Sequence, residues 1–247
     1  MRIPRKALIS LTVLFLLFLA AFASSAYLRS RVWEVYFEVT HANPTVTTAQ
    51  QLDEILSGFE KLRYQDLPKE YLERTQADQS PYAKMMKGGT YYKVPYMHIH
   101  RKLVGSQRLG RFMPRDAYFS KATWNPRREL IWLVNVKVLK KYLELHALLE
   151  KEGYNPYAMY VVNGYRYPRY NKKVGGASRS RHIKGEAIDL SIGDINRDGR
   201  SNKEDKDIVL KLLDQKVIKS FGGVGRYPGS QSVHMDVRGY RARWDRQ

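Results

Sequence analysis

The chain has 247 residues, with 43 Lys and Arg against 24 Asp and Glu, for a formal charge of +19. It contains no cysteine, which excludes disulfides, thiolate metal ligands and a cysteine nucleophile. The length suffices for one good core plus further material, and the charge favours anionic partners.

Ala7 to Ala26 is uncharged and apolar and follows Arg2, Arg5 and Lys6. This stretch reads as a signal peptide or a membrane anchor. Ala21-Phe22-Ala23 and Ser24-Ser25-Ala26 both offer small-residue cleavage sites. Either way the remainder is exported, to the periplasm or cell envelope. Removing residues 1–26, three basic and none acidic, leaves +16. Export argues against nucleic acid, so anionic cell wall or phospholipid headgroups are the expected polyanions; a basic surface without a specific partner is the plainer reading.

Val32 to Val39 is β-branched and aromatic and predicts a strand. Thr47-Thr48 can cap a helix from Ala49 to Leu62, with Leu52, Ile55, Leu56 and Phe59 at helical spacing. Residues 64–128 read as irregular, with short strands near 90–94 and 96–100. A His98/His100 pair at strand spacing is a weak metal candidate; His41 and His146 read as structural or exposed. Leu130 to Glu150 predicts a long helix ending at Gly153. Strands are expected over 158–163, 188–192 and 233–237, and a helix over 207–215. The fold class is α+β, a small antiparallel sheet with packed helices after an N-terminal hydrophobic segment. The expected organisation is leader or anchor 1–26, accessory region 27–124, and a catalytic domain 125–247.

His182, Asp189 and His234 are the candidate metal ligands. Two imidazoles and a carboxylate make a three-residue ligand set for a catalytic zinc, whose fourth position is left for water. Such a water has its pKa lowered to about 7 and becomes a nucleophile at neutral pH. His182 and Asp189 sit in Ser180-Arg181-His182-Ile183-Lys184-Gly185-Glu186-Ala187-Ile188-Asp189, and His234 in Ser232-Val233-His234-Met235-Asp236. Ser-x-His-x-x-Gly-x-Ala-x-Asp followed by His-x-Asp resembles the D-Ala-D-Ala metallopeptidase family, which includes cell-wall carboxypeptidases, murein endopeptidases and the hedgehog signalling domain. Asn163-Gly164-Tyr165-Arg166 resembles that family's Gly-Tyr-Arg strand end. The resemblance covers roughly residues 125 to 240. It implies a hedgehog-like fold, zinc, and hydrolysis of peptide bonds in peptidoglycan.

It also implies a role for Arg166 in holding a substrate carboxylate or stabilising an oxyanion, with Tyr165 and Ser180 as neighbouring substrate contacts; Ser180 reads equally well as a turn residue. Many family members place Glu or Asp three residues before the second His. Here that position is Gln231, which cannot take a proton. Asp236 shares a strand face with His234, so it is the candidate general base; the competing readings are a carboxylate that orients an imidazole and a metal-binding pseudoenzyme.

Asp194-Ile195-Asn196-Arg197-Asp198-Gly199-Arg200-Ser201-Asn202-Lys203-Glu204-Asp205 resembles a dockerin or EF-hand calcium loop. Asp194, Asn196, Asp198, Arg200 through its carbonyl, Asn202 and Asp205 fall at ligand positions 1, 3, 5, 7, 9 and 12, with Gly199 at the sharp turn. A polar Asn/Asp/Gly turn is the plainer alternative. The leading functional expectation is an exported zinc peptidase acting on peptidoglycan. Its rivals are an inactive cell-wall or partner-binding protein on the same fold and, more remotely, a calcium-dependent assembly module.

Overall fold

The computed structural model describes residues 4–118, 125 and 127–245. The boundary expected at 124–125 borders residues outside that range. Helix α1 (Arg5–Ser24) breaks at Ser25 into α2 (Ala26–Thr40). Ser25 Oγ accepts from the Leu28 amide and caps α2, which buries Phe37. The strand expected at 32–39 is therefore the second half of a helix. Its β-branched residues are outweighed by the Ser25 cap and by Arg31–Glu34 at i,i+3 spacing.

The expected capped helix is α3 (Ala49–Ser57), with Thr48 and Gln51 forming a reciprocal capping box. It stops at Gly58, and Glu60–Leu62 becomes β1. Two short helices follow, α4 (Lys69–Thr75) and α5 (Tyr82–Met86), then β2 (Tyr91–Pro95). Tyr96–His100, expected as a strand, is a 3-10 turn entered from Pro95. β3 (Lys102–Val104) and β4 (Gln107–Arg108) form a small hairpin before α6 (Arg115–Tyr118).

The helix expected from Leu130 begins six residues later. Glu129–Leu133 is β5, and Asn135 accepts from the Lys137 amide to start α7 (Val136–Lys151). β5 pairs with β2, and β2 with β1, in an antiparallel three-stranded sheet. A single hydrophobic core runs from Val46 through Trp132 and Tyr142 to Met235, so the accessory and catalytic stretches share their packing.

β6 (Met159–Asn163), α8 (Pro168–Lys173), β7 (Ala187–Ile192), α9 (Lys203–Leu212), β8 (Gly223–Arg226), β9 (Ser232–Asp236) and β10 (Ala242–Asp245) complete the chain. α9 starts four residues before its expected position because Asn202 and Asp205 form a capping box. The five-stranded sheet has the order β10-β8-β9-β7-β6. It is antiparallel except at its edge, where β10 runs parallel to β8, a departure from the wholly antiparallel expectation. At the other edge the buried Gln107 side chain donates to Met159 O and accepts from Val161 N, sealing β6.

Candidate metal centre

One rung crosses all five strands. Asn163 stands opposite Asp189, Asp189 opposite His234, His234 opposite Gly225, and Gly225 opposite Trp244. Directly opposed residues share a face of the sheet. Asp189 and His234 are thereby adjacent although 45 residues apart. His182 reaches them from a 3-10 turn, Arg181–Lys184, that Ser180 caps by accepting from the His182 amide at 3.3 Å. Ser180 thus serves the turn. Gly185 closes it at φ +64, and a Cβ there would meet the Leu133 carbonyl at 2.5 Å.

Among the described residues, His182, Asp189 and His234 form the one cluster of three or more His, Asp or Glu side chains whose ligand atoms all lie within 4.8 Å of one another. All three are buried. His182 Nδ1 lies 2.7 Å from Gly164 O. A carbonyl can only accept, so Nδ1 carries the proton and Nε2 presents a lone pair. That lone pair faces Asp189 Oδ1 at 3.2 Å. His234 Nε2 lies 3.0 Å from Asp236 Oδ2, which leaves its Nδ1 facing the same Oδ1 at 2.9 Å. In the neutral form of both rings, three acceptors converge on one point. Such a cluster is repulsive until a cation lies among them, and nitrogen, nitrogen and oxygen are ligands that suit zinc.

The electrostatics agree. Burial pushes His182 below its ordinary pKa, which favours the ligating neutral form. Burial acts on Asp189 too, but the two imidazoles outweigh it and hold the carboxyl well below its usual range. At His234 burial is outweighed by Asp189 and Asp236, so its pKa rises. A proton there substitutes for the positive charge that a metal would bring.

Arg166 lies against the Asp189 carboxylate. Its Nη2 donates to Asp189 Oδ2 at 2.5 Å, while its buried Nε makes no hydrogen bond. Tyr165 does not join the centre. Its ring is buried on the opposite side, its hydroxyl 2.9 Å from that of Tyr71 on α4, because consecutive residues leaving β6 point opposite ways.

Asp236 lies on the same face as His234, but its position does not fit a base. The carboxylate is fully buried. It accepts from Gly223 N, from Arg238 N, Nε and Nη2, and from His234 Nε2, the ring nitrogen turned away from Asp189. Burial would raise its pKa; Arg238 and His234 overcome that and lower it. This geometry orients the imidazole and keeps Asp236 ionised. Gln231 is turned to the Asn202 carbonyl, to which its side-chain amide donates.

Four contributors escaped sequence reasoning. Tyr227 donates to Asp189 Oδ1 at 3.5 Å, and the Asn163 amide lies beside Asp189 and Arg166. Trp244 packs its indole 5.1 Å from the His234 ring, over Gly225, where a Cβ would come within 2.6 Å of it. The Arg238 guanidinium stacks on the outer side of that indole, 4.9 Å from the ring centre. The available signal was the glycine in Gly223-Val224-Gly225, which marks a close approach within a strand. Tyr227 is held from behind: buried Lys206 donates to Tyr227 O at 2.7 Å and to Ser230 O at 2.6 Å.

The loop from Asp194 to Asp205 is closed by its own hydrogen bonds. Asp194 accepts from Asp198 N and Gly199 N, Asp198 accepts from Arg200 N and from the Asn196 amide, and Asp205 accepts from Ile195 N, Asn196 N and Asn202 N. His98 and His100 sit in the 3-10 turn beside Phe37, away from the centre, and share no metal-holding group with any described residue.

The model of one protein family, peptidase M15, matches residues 133–236. That stretch runs from the last residue of β5 to the last of β9 and contains all three ligands. M15 peptidases are zinc-dependent, and the match supports a zinc metallopeptidase domain over these residues. No curated protein and no solved structure matches the chain.

Proposed function

We propose that the chain is an exported zinc metallopeptidase that hydrolyses peptide bonds of peptidoglycan, on the fold of the hedgehog and D-Ala-D-Ala peptidase group. The observation that carries the metal reading is the convergence of three acceptor atoms from His182, Asp189 and His234 on one buried point. Zinc bound there supplies Lewis-acid polarisation of an amide carbonyl and a water of lowered pKa. The chain's own residues do the rest. Gly164 O and Asp236 fix the two imidazole tautomers. Arg166, anchored to Asp189 through Nη2 and free at Nε, grips a substrate carboxylate or the developing oxyanion.

Peptidoglycan is the substrate that best suits an exported, strongly basic chain, because its stem peptides and attached polymers are anionic. An endopeptidase acting on cross-links accords with that surface better than a carboxypeptidase. The Asp194–Asp205 loop would take calcium through Asp194, Asn196, Asp198, the Arg200 carbonyl and Asp205. Calcium should then raise the melting temperature, and Asp194→Ala with Asp198→Ala should remove that rise. An unchanged melting temperature in the parent would reject the calcium site.

One observation favours a second reading, an inactive cell-wall-binding protein. Neither Gln231 nor Asp236 is placed to take a proton from a water at the centre. Digestion of purified sacculi by the full chain in detergent, followed by mass analysis of released muropeptides, separates the two. The peptidase reading expects zinc-dependent products that a chelator and His182→Ala both abolish. Tight sacculus binding without products would establish the alternative.

A further inference from the structure

The junction of α1 and α2 borders a cavity that the metal centre does not use. Its volume is about 600 Å3, within the range of small-molecule sites, roughly 300–1,000 Å3. Tyr27, Arg31 and Glu34 line it from α2, Arg108 from the end of β4, Arg111 from the 3-10 turn that follows, and Arg115 from the start of α6. Four guanidiniums therefore face one carboxylate. Glu34 pairs with both Arg31 and Arg108, and Arg108 also reaches Glu38 at 3.1 Å. Arg111 and Arg115 form no ion pair with any described residue, so the wall carries uncompensated positive charge.

The helix that ends three residues before Tyr27 is apolar. Along α1 the large hydrophobic side chains from Ile9 to Leu19 are 42–62% exposed. No single helix among the described residues is long and apolar enough to cross a membrane; α1 and α2 pass that test only as a pair, bent by 106°. The bend is held in place. Arg29, itself buried, donates to the last carbonyls of α1, Phe22 O at 2.9 Å and Ala23 O at 2.6 Å, while Ser25 caps α2. The first cavity residue, Tyr27, follows α1 by three positions. An apolar surface thus leads into a cationic cavity across a fixed corner.

We propose that this corner binds an anionic phospholipid, its phosphate in the cavity against Arg111 and Arg115 and its acyl chains along α1. Arginine suits this role because its planar fork meets phosphate oxygens two at a time. Tyr27 and Tyr36, 64% and 52% exposed, are side chains that favour the headgroup level. The proposal rests on the reading of the first 26 residues as a retained membrane segment, and it is independent of the metal centre.

The test uses the full chain in detergent micelles, titrated with phosphatidylglycerol or phosphatidylcholine, with retained lipid read by native mass spectrometry. Phosphatidylglycerol should bind at least tenfold more tightly than phosphatidylcholine. Arg111→Gln with Arg115→Gln should erase that preference while zinc content stays at the parental level. Glycerol phosphate, which has the head and no tails, should compete at least tenfold less well than the lipid. Equal retention of the two lipids in the parent overturns the proposal whether or not the variant folds. So does a double variant that retains the preference. Glycerol phosphate competing as well as the lipid would make this an anion site only, and a polyglutamate peptide competing better would make it a protein-docking site; either overturns the lipid reading. Sequencing the N-terminus of the protein from cells tests the underlying reading separately: loss of residues 1–26 removes the acyl-chain surface. No arm measures hydrolysis, so failure here leaves the peptidase proposal standing.

Discussion

Asp236→Asn keeps the shape of a buried side chain and removes its charge. In the parent that charge is met by five donor groups, three of them on Arg238, and it holds His234 Nε2 at 3.0 Å. An asparagine oxygen can still accept from His234, but more weakly, and its NH2 faces donors. Losing a carboxylate that orients a ligating histidine typically costs about 10–100-fold in metal affinity, about 1.4–2.8 kcal/mol at 1.4 kcal/mol per tenfold. Leaving Arg238 without its anion adds a stability cost below the ~3–5 kcal/mol of a fully buried pair, because its side chain is 17% exposed and stacks on Trp244. The assay is a zinc-buffered competition titration with turnover measured at saturating zinc. The expected result is zinc affinity down 10–100-fold and turnover at saturation within about fivefold of the parent. Unchanged affinity with turnover down by about two orders of magnitude or more, the scale of a lost general base, would refute the orienting role.

Gly225→Ala should force the Trp244 indole off the His234 ring, since the new Cβ would lie 2.6 Å from it. Overpacking of this kind costs about 1–3 kcal/mol, and a melting curve should fall together with zinc affinity; a parental melting temperature would mean that Trp244 is freely displaced. Arg166→Lys should be strongly impaired although charge is retained, in turnover if Arg166 serves the oxyanion and in apparent substrate affinity if it docks a carboxylate; parental kinetics on sacculi and stem peptides would remove it from the site. Acid should destabilise the fold through His100 and His146, both pushed down to about 4 by burial, which at His100 outweighs the attraction of Glu34. Between pH 6.5 and 4 the unfolded chain takes up protons that the folded chain refuses. The stability is therefore complete above the unfolded pKa and is lost as pH falls, by about 2 kcal/mol per histidine from pH 7 to 5. Denaturant unfolding at the two pH values measures it, and the dependence should shrink in His146→Phe; a flat profile would contradict burial of the neutral rings.

The ligand set was legible because its chemistry is written in residue type and order. His182, Asp189 and His234 carry their ligating atoms wherever the strands go, and the strands holding Asp189 and His234 announced themselves by composition. The roles around them were less legible. Strand periodicity places Asp236 on the face of His234, but it does not say which ring nitrogen the carboxylate meets; that depends on Arg238 and Gly223, brought together by the pairing of β8 with β9. Leu130 to Val134 is an apolar run that suits a buried strand or a helix equally, and the deciding residue is Asn135, whose side chain starts α7. Val32 to Val39 misled for the converse reason: its β-branched residues sit in a helix that packs Phe37 into the core. β10 is a four-residue edge strand whose identity lies in a parallel partner, and no local pattern encodes that.

The central claim is that His182, Asp189 and His234 hold one zinc. Its most direct test is an anomalous difference map at the zinc edge from crystals of the zinc-loaded protein. The account expects a single strong peak at this centre, about 2.0–2.1 Å from both His182 Nε2 and His234 Nδ1 and in contact with the Asp189 carboxylate, and no such peak in crystals of His234→Ala. A map with no peak among these three residues, or with the zinc at His98 and His100 instead, would contradict it.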